Sequence, residues 1–224
     1  SLHDALPISL GLSEGLNELS NGLVIFLFNH TILRVIGEGA LASYTIISYV
    51  NTLVLMTMTG TAQGMQPLVS FHLGAGERKN CHRLLKYGVS LIAAFSLVSF
   101  ALGELGAPAI VSAFLPTDSA VFSYSISALR MYSSSFLVLG FNVIFAAFFT
   151  AVERPVFAFS ISFGRSLVLL VASLLILSSL FGDKGIWFST LCSELLCLCL
   201  TAFCAWRYFR SHRRENPLPE AEQV

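Results

Sequence analysis

Charge is what this chain has least of. Only 12% of its 224 residues are charged and 55% are hydrophobic, whereas about a quarter of an ordinary soluble domain is charged. That scarcity excludes a water-soluble core, and a mean hydropathy of +0.75 makes the bilayer the solvent. Cysteine is scarce too, with five in all. Cys192, Cys197, Cys199 and Cys204 fall in the last apolar stretch and Cys81 in a basic connection, without the spacing or histidine partners of a zinc site. They are expected to be small packing residues, with no disulfide. Catalytic signatures are also missing. There is no H-E-x-x-H or G-x-S-x-G, and Gly74-Ala-Gly-Glu-Arg-Lys79 lacks the spacing of a phosphate-binding loop and follows an apolar stretch instead of a strand. Neither an enzyme nor a nucleic-acid partner is expected.

What is there is apolar length. Six stretches, roughly 9–36, 40–73, 80–104, 118–152, 155–181 and 184–210, are each long enough to span ~30 Å of hydrocarbon as helix. The expected fold is an all-α membrane protein, a six-transmembrane-helix bundle with membrane lipid around it. Gly37-Glu38-Gly39, Gly74-Ala-Gly76, Pro108, Pro116, Pro155 and Gly182-Asp-Lys-Gly185 separate the stretches. Such short connections make consecutive helices antiparallel neighbours. Residues 105–117 read as an interfacial half-turn, and residues 211–224 as a disordered cytoplasmic tail. Residues 1–8 do not continue the helical pattern that begins near Leu10 and read as a foreign leader. The first apolar stretch is too long and too studded with polar residues for a signal peptide. Arg78, Lys79, Arg83, Lys86, Arg154, Arg207, Arg210, Arg213 and Arg214 crowd one set of connections, while Arg34, Arg130 and Lys184 mark the other. The positive-inside rule then places both termini of this segment in the cytoplasm.

Polar residues inside the stretches are the candidates for chemistry, because an acid in a bilayer costs at least ~2.5–3.5 kcal/mol. Glu14, Asn17, Glu18 and Asn21 recur at i, i+3, i+4 and i+7 and so share one helix face. Two carboxylates one turn apart raise each other's proton affinity, which suits a proton or sodium site. The plainer reading of Glu14 is a charge at the cytoplasmic interface near the helix start. In the second stretch Ser48, Thr52, Thr59, Gln63 and Gln66 form a stripe ending at Pro67. Such a stripe lines a pathway or glues helices together, and Pro67 is a candidate bend. Asn142 and Glu194 lie near the middles of their stretches. Asn142 is a candidate cation ligand or an interhelical hydrogen-bond partner. Arg165 is the one base well inside the fifth stretch, so Glu194 and Arg165 are expected to form a structural ion pair unless Arg165 snorkels to the headgroups.

An ordered set of motifs adds to this. Asn17-Glu-Leu-Ser-Asn-Gly-Leu-Val-Ile-Phe26 with Phe28-Asn29, Gly64-Met-Gln-Pro-Leu-Val-Ser70 before Gly74-Ala-Gly76, Gly140-Phe-Asn142, Phe148-Phe149 before Glu153, Arg165, and Gly185-Ile-Trp187 with Glu194 resemble the multidrug and toxic compound extrusion (MATE) family. The resemblance covers most of residues 10–210 and matches the family's second, C-terminal six-helix lobe, which implies a partner in the missing N-terminal six-helix lobe. It implies antiport, in which amphipathic organic cations leave the cytoplasm as Na+ or H+ enters. Glu18 matches the family's coupling acid on the first helix of that lobe. Asn142 stands where some members have a second acid, and an amide can ligate sodium but carries no proton. No cofactor is implied beyond the coupling ion, for which Glu18 is the candidate ligand. The resemblance also implies that Phe26, Phe28, Phe141 and Tyr132 are candidates for stacking on flat cargo. Two other readings stand beside it: a flippase for lipid-linked saccharides, which would use cationic cavity residues, and a nontransporting membrane assembly subunit.

Overall fold

A computed structural model describes the backbone of residues 2–215 and the side chains of residues 19–210. The elements in chain order are α1 (Leu2–Val35), α2 (Gly39–Gly74), α3 (Arg78–Leu105), α4 (Ala107–Ser112), α5 (Phe122–Ser133), α6 (Phe136–Ala151), α7 (Pro155–Phe163), a π-helical turn (Gly164–Val168) and α8 (Leu169–Glu215). Among the described residues Gly39–Gly74, Arg78–Leu105 and the continuous run Pro155–Arg210 are each long and apolar enough to cross a membrane. The α5–α6 pair, bent by 42°, makes a further span, and Leu19–Val35 is a shorter apolar helix.

The run Pro155–Arg210 crosses twice. Arg165 and Glu194 would lie about 44 Å apart on a straight helix, yet Arg165 Nη1 is 3.1 Å from Glu194 Oε1. The reversal is at Gly182, whose φ of +60° and ψ of −130° break the helical path. A Cβ on Gly185 would collide with the Leu177 carbonyl oxygen, so the returning arm starts against the departing one. The chain therefore passes through the bundle as α1, α2, α3, α5–α6, α7 with the first arm of α8, and the second arm of α8.

Several expected boundaries move. Helix α1 begins at Leu2, not near Leu10, and α8 continues to Glu215, into the stretch expected to be disordered. The expected fourth helix, 118–152, is broken between Ser133 and Phe136. The half-turn expected over residues 105–117 contains α4, whose Ala107 and Val111 are fully buried. Helix α2 continues through Pro67 to Gly74.

Two apolar clusters hold the bundle together. One joins α2, α3, α6, α7 and α8 through Met58, Ile92, Ile144, Phe148, Phe149 and Ile161. The other joins α1, α2, α4, α5, the start of α6 and α8 through Phe28, Ile47, Val111, Leu129, Phe136 and Trp187. Lipid tails are as apolar as these side chains, so close packing supplies the attraction in place of water exclusion. Gly140 permits it on α6, where a Cβ would stand 2.6 Å from Ile92 and 2.8 Å from Met58. Polar bonds lock the same interfaces: Ser43 and Ser125 share a hydrogen bond of 2.7 Å, and Trp187 Nε1 donates to the Tyr124 hydroxyl at 2.9 Å. Arg130 Nε donates to the Glu104 carbonyl at the end of α3, where a cation complements the exposed helix carbonyls.

Candidate functional site

Four polar residues meet between α6, the π turn and the second arm of α8. Arg165 Nη1 donates to Glu194 Oε1 at 3.1 Å. Asn142 Nδ2 donates to Glu194 Oε2 at 2.8 Å and to the Glu194 carbonyl at 3.0 Å. The Thr201 hydroxyl in turn donates to Asn142 Oδ1 at 2.9 Å. Glu194, Asn142 and Thr201 are buried, with exposures of 3%, 0% and 2%. A carboxylate so enclosed is tolerable only with its oxygens occupied, and here one takes a guanidinium and the other an amide. Locally the sequence places Arg165 through the π turn, in which the Leu169 N–H bonds the Gly164 carbonyl five residues back.

A cavity lies on each side of Arg165. The larger, about 400 Å³, is lined by Asn21 and Phe28 of α1, Tyr44, Ser48, Asn51 and Thr52 of α2, Tyr132, Arg165, Thr190 and Glu194. The smaller, about 240 Å³, is lined by Thr59, Gln63, Gln66, Asn142, Thr150 and Arg165. The α2 stripe thus divides, with its first half facing the larger space and its second half the smaller. Part of it also joins helices, since Gln66 Nε2 donates to the Ala147 carbonyl at 3.4 Å, whereas the Thr52 hydroxyl donates back to the Ser48 carbonyl within α2.

The MatE family model matches residues 17–175. The chain belongs to the MatE family. Among curated proteins it is similar to the FAD transporter of Shewanella oneidensis (strain ATCC 700550 / JCM 31522 / CIP 106686 / LMG 19005 / NCIMB 14063 / MR-1), with 22% identity over 194 residues, 87% of this chain and 41% of that one. Its fold is similar to an inward-facing conformation of a multidrug resistance MATE family transporter of the MOP superfamily, with a TM-score of 0.84 and 20% identity over 94% of this chain and 49% of the other. It is also similar to an outward-facing conformation of such a transporter, with a TM-score of 0.81 and 21% identity over 92% and 46%. The chain spans less than half the length of each.

Within this MatE chain the expected site residues separate into three groups. Asn21, Asn142, Thr59, Gln63, Gln66, Arg165 and Glu194 line one or both cavities, whereas Pro67 lines neither. Glu14, Asn17 and Glu18 lie outside the residues whose side chains are described. Asn142, expected as a candidate cation ligand, already accepts from Thr201 through its one carbonyl oxygen and is enclosed by protein. Of the expected stacking aromatics, Phe28 lies parallel to Tyr44 at 5.3 Å, Tyr132 lines the larger cavity and Phe26 is exposed. Sequence reasoning missed Tyr44, Asn51, Thr190 and Thr201. The spacing of Tyr44, Ser48, Asn51 and Leu55 on α2, four, three and four residues, carried the signal for two of them.

Proposed function

We propose that this chain is one lobe of a cation-coupled exporter that moves amphipathic small molecules out across the cytoplasmic membrane. The observation that carries the reading is the buried Glu194–Asn142 pair bonded to the half-buried Arg165, set between two cavities of an otherwise apolar bundle. Membership of the MatE family gives that arrangement its context. Polar groups at this depth are costly, and interior ionisable residues in membrane helices ordinarily mark a path for ions or cargo.

In this reading the lobe is the C-terminal one, its termini face the cytoplasm, and a second six-helix lobe completes the pathway. Similar TM-scores against an inward-facing and an outward-facing relative, 0.84 and 0.81, support a lobe that moves largely as one body. Glu18, three positions before the cavity-lining Asn21, is the proposed coupling acid, with Na+ or H+ as the coupling ion. If Glu18 binds cargo and ion in exclusive states, the difference in affinity between states drives exchange. Organic cations are the cargo class that the family resemblance implies. A relative named as an FAD transporter supports an anionic aromatic class instead.

The test is ethidium accumulation in an efflux-deficient bacterium expressing this lobe together with the second lobe that completes the pathway. Lowered accumulation that returns to the vector-only level with Glu18→Gln supports the reading. Accumulation equal to the vector control in the wild type, with the protein present in the membrane, would sink it and favour a nontransporting assembly subunit.

A further inference from the structure

The ion pair beside the larger cavity is lopsided, and the imbalance gives the cavity a sign. Both Glu194 oxygens are engaged, by Arg165 and by Asn142, and its side chain is only 4% exposed. The Arg165 side chain is 21% exposed and makes a single hydrogen bond among the described residues. A guanidinium carries five N–H donors, so most of its donor capacity remains for a ligand. The positive end of the pair therefore borders the space and the negative end is sunk in protein. On the same wall the buried Asn51 Oδ1 lacks a partner, and the Thr190 hydroxyl, on a residue 5% exposed, sits beside the Tyr132 hydroxyl. Buried polar atoms are rarely left unpaired without a reason.

We propose that Arg165 and Thr190 form a subsite for the anionic group of an aromatic ligand, with Asn51 accepting from an N–H or hydroxyl on the ring system. Tyr44, stacked on Phe28, and Tyr132 supply the aromatic wall. Arg165 is ten residues into the helix that starts at Pro155, about 15 Å of rise. That is about half the hydrocarbon thickness. The subsite is too deep for a lipid headgroup and suits a cargo molecule. This deepens the transport reading, on which it rests, by naming a cargo chemistry and the side chains that select it.

FMN and riboflavin share one ring and differ by a phosphate, so the pair isolates the anionic term. The intact chain in phosphatidylcholine nanodiscs is titrated against each, with binding read from flavin fluorescence anisotropy. FMN is expected to bind about tenfold more tightly than riboflavin, as a charge-assisted contact warrants. Arg165→Gln should abolish the preference and Arg165→Lys should keep part of it. Thr190→Val, which leaves the ion pair intact, should weaken FMN more than riboflavin. Glu194→Gln, which leaves the guanidinium uncompensated, should increase the preference. A purely structural Arg165 gives no such opposite movements, so Thr190→Val and Glu194→Gln decide the matter even if Arg165→Gln fails to fold. Equal affinities in the wild type, or a preference that neither variant moves, would overturn the subsite. Dye efflux alongside equal affinities overturns the subsite alone; FMN preference without dye efflux overturns only the transport reading.

Discussion

Two layers of the same bundle fix the helices by opposite means. Midway along α6, Asn142 ties Glu194 and Thr201 together while Glu194 holds Arg165, all through directional bonds of 2.8 to 3.1 Å. Towards the loop ends, Phe148, Phe149, Phe157 and Tyr208 meet edge to face with ring centroids 5.4 to 5.9 Å apart. Both layers join α6 to the second arm of α8. The polar layer depends on individual atoms and fails when one is removed. The aromatic layer depends on filled volume, which is costly to lose but tolerant of shape. Function follows the distinction, since a charge with spare donors recognises a ligand and a close-packed ring cluster only holds a wall.

The comparison breaks most sharply at Glu194. Glu194→Leu leaves Arg165 charged without its partner and removes the acceptor of Asn142, so a loss of about 3–5 kcal/mol is expected. Thermal unfolding in detergent, followed by tryptophan fluorescence, measures it. The double substitution Arg165→Met with Glu194→Leu should recover much of that loss, because a matched apolar pair has no charge to bury. A double variant as unstable as the single one would mean that the pair is not what the polar layer turns on.

Phe149→Ala probes the other layer. The side chain is fully buried among four rings, and the cavity left behind should cost about 3 kcal/mol. Phe149→Leu, which keeps most of the volume, should cost less than about 1.5 kcal/mol. Next in size is Thr201→Val, which preserves shape and removes one donor. Asn142 Oδ1 is then buried without a partner, at about 1 kcal/mol. An unchanged melting temperature would show that the far end of the polar chain contributes nothing.

The two layers were unequally legible in sequence. Arg165 and Glu194 could be matched because a lone charge at that depth is costly enough to demand the other. The Gln63 stripe could be read because helical spacing is local. Thr201 was invisible as a partner for Asn142, since nothing in a spacing of 59 residues says which helix faces which. The π turn at Gly164–Val168 leaves no compositional mark. Gly182-Asp-Lys-Gly185 read as a loop, yet one residue with positive φ makes the reversal and helix resumes at once. Six crossings followed from apolar length, whereas the break at Ser133–Phe136 depended on tertiary fit that single residues do not announce.

Outside both layers, the α2–α3 connection holds a third and weaker kind of contact. Glu77 Oε2 accepts from Asn80 Nδ2 at 2.9 Å and lies 2.6 Å from His72 Nδ1. These bonds, Asn80 first and His72 second, hold its carboxyl below the ordinary value of 4.5 although the side chain is exposed. A lowered carboxylate contributes order that is complete above its ordinary titration range and is lost as pH falls through the lowered value. The effect is expected to be the smallest of the set, because water and salt screen it. Carbon-13 NMR of the Glu77 carboxyl should give a midpoint below 4.5, and Asn80→Ala should raise it more than His72→Ala does. The reverse order would make the imidazole the main partner of the carboxylate. The expected order makes the Asn80 amide the group that holds the connection until the carboxylate itself titrates.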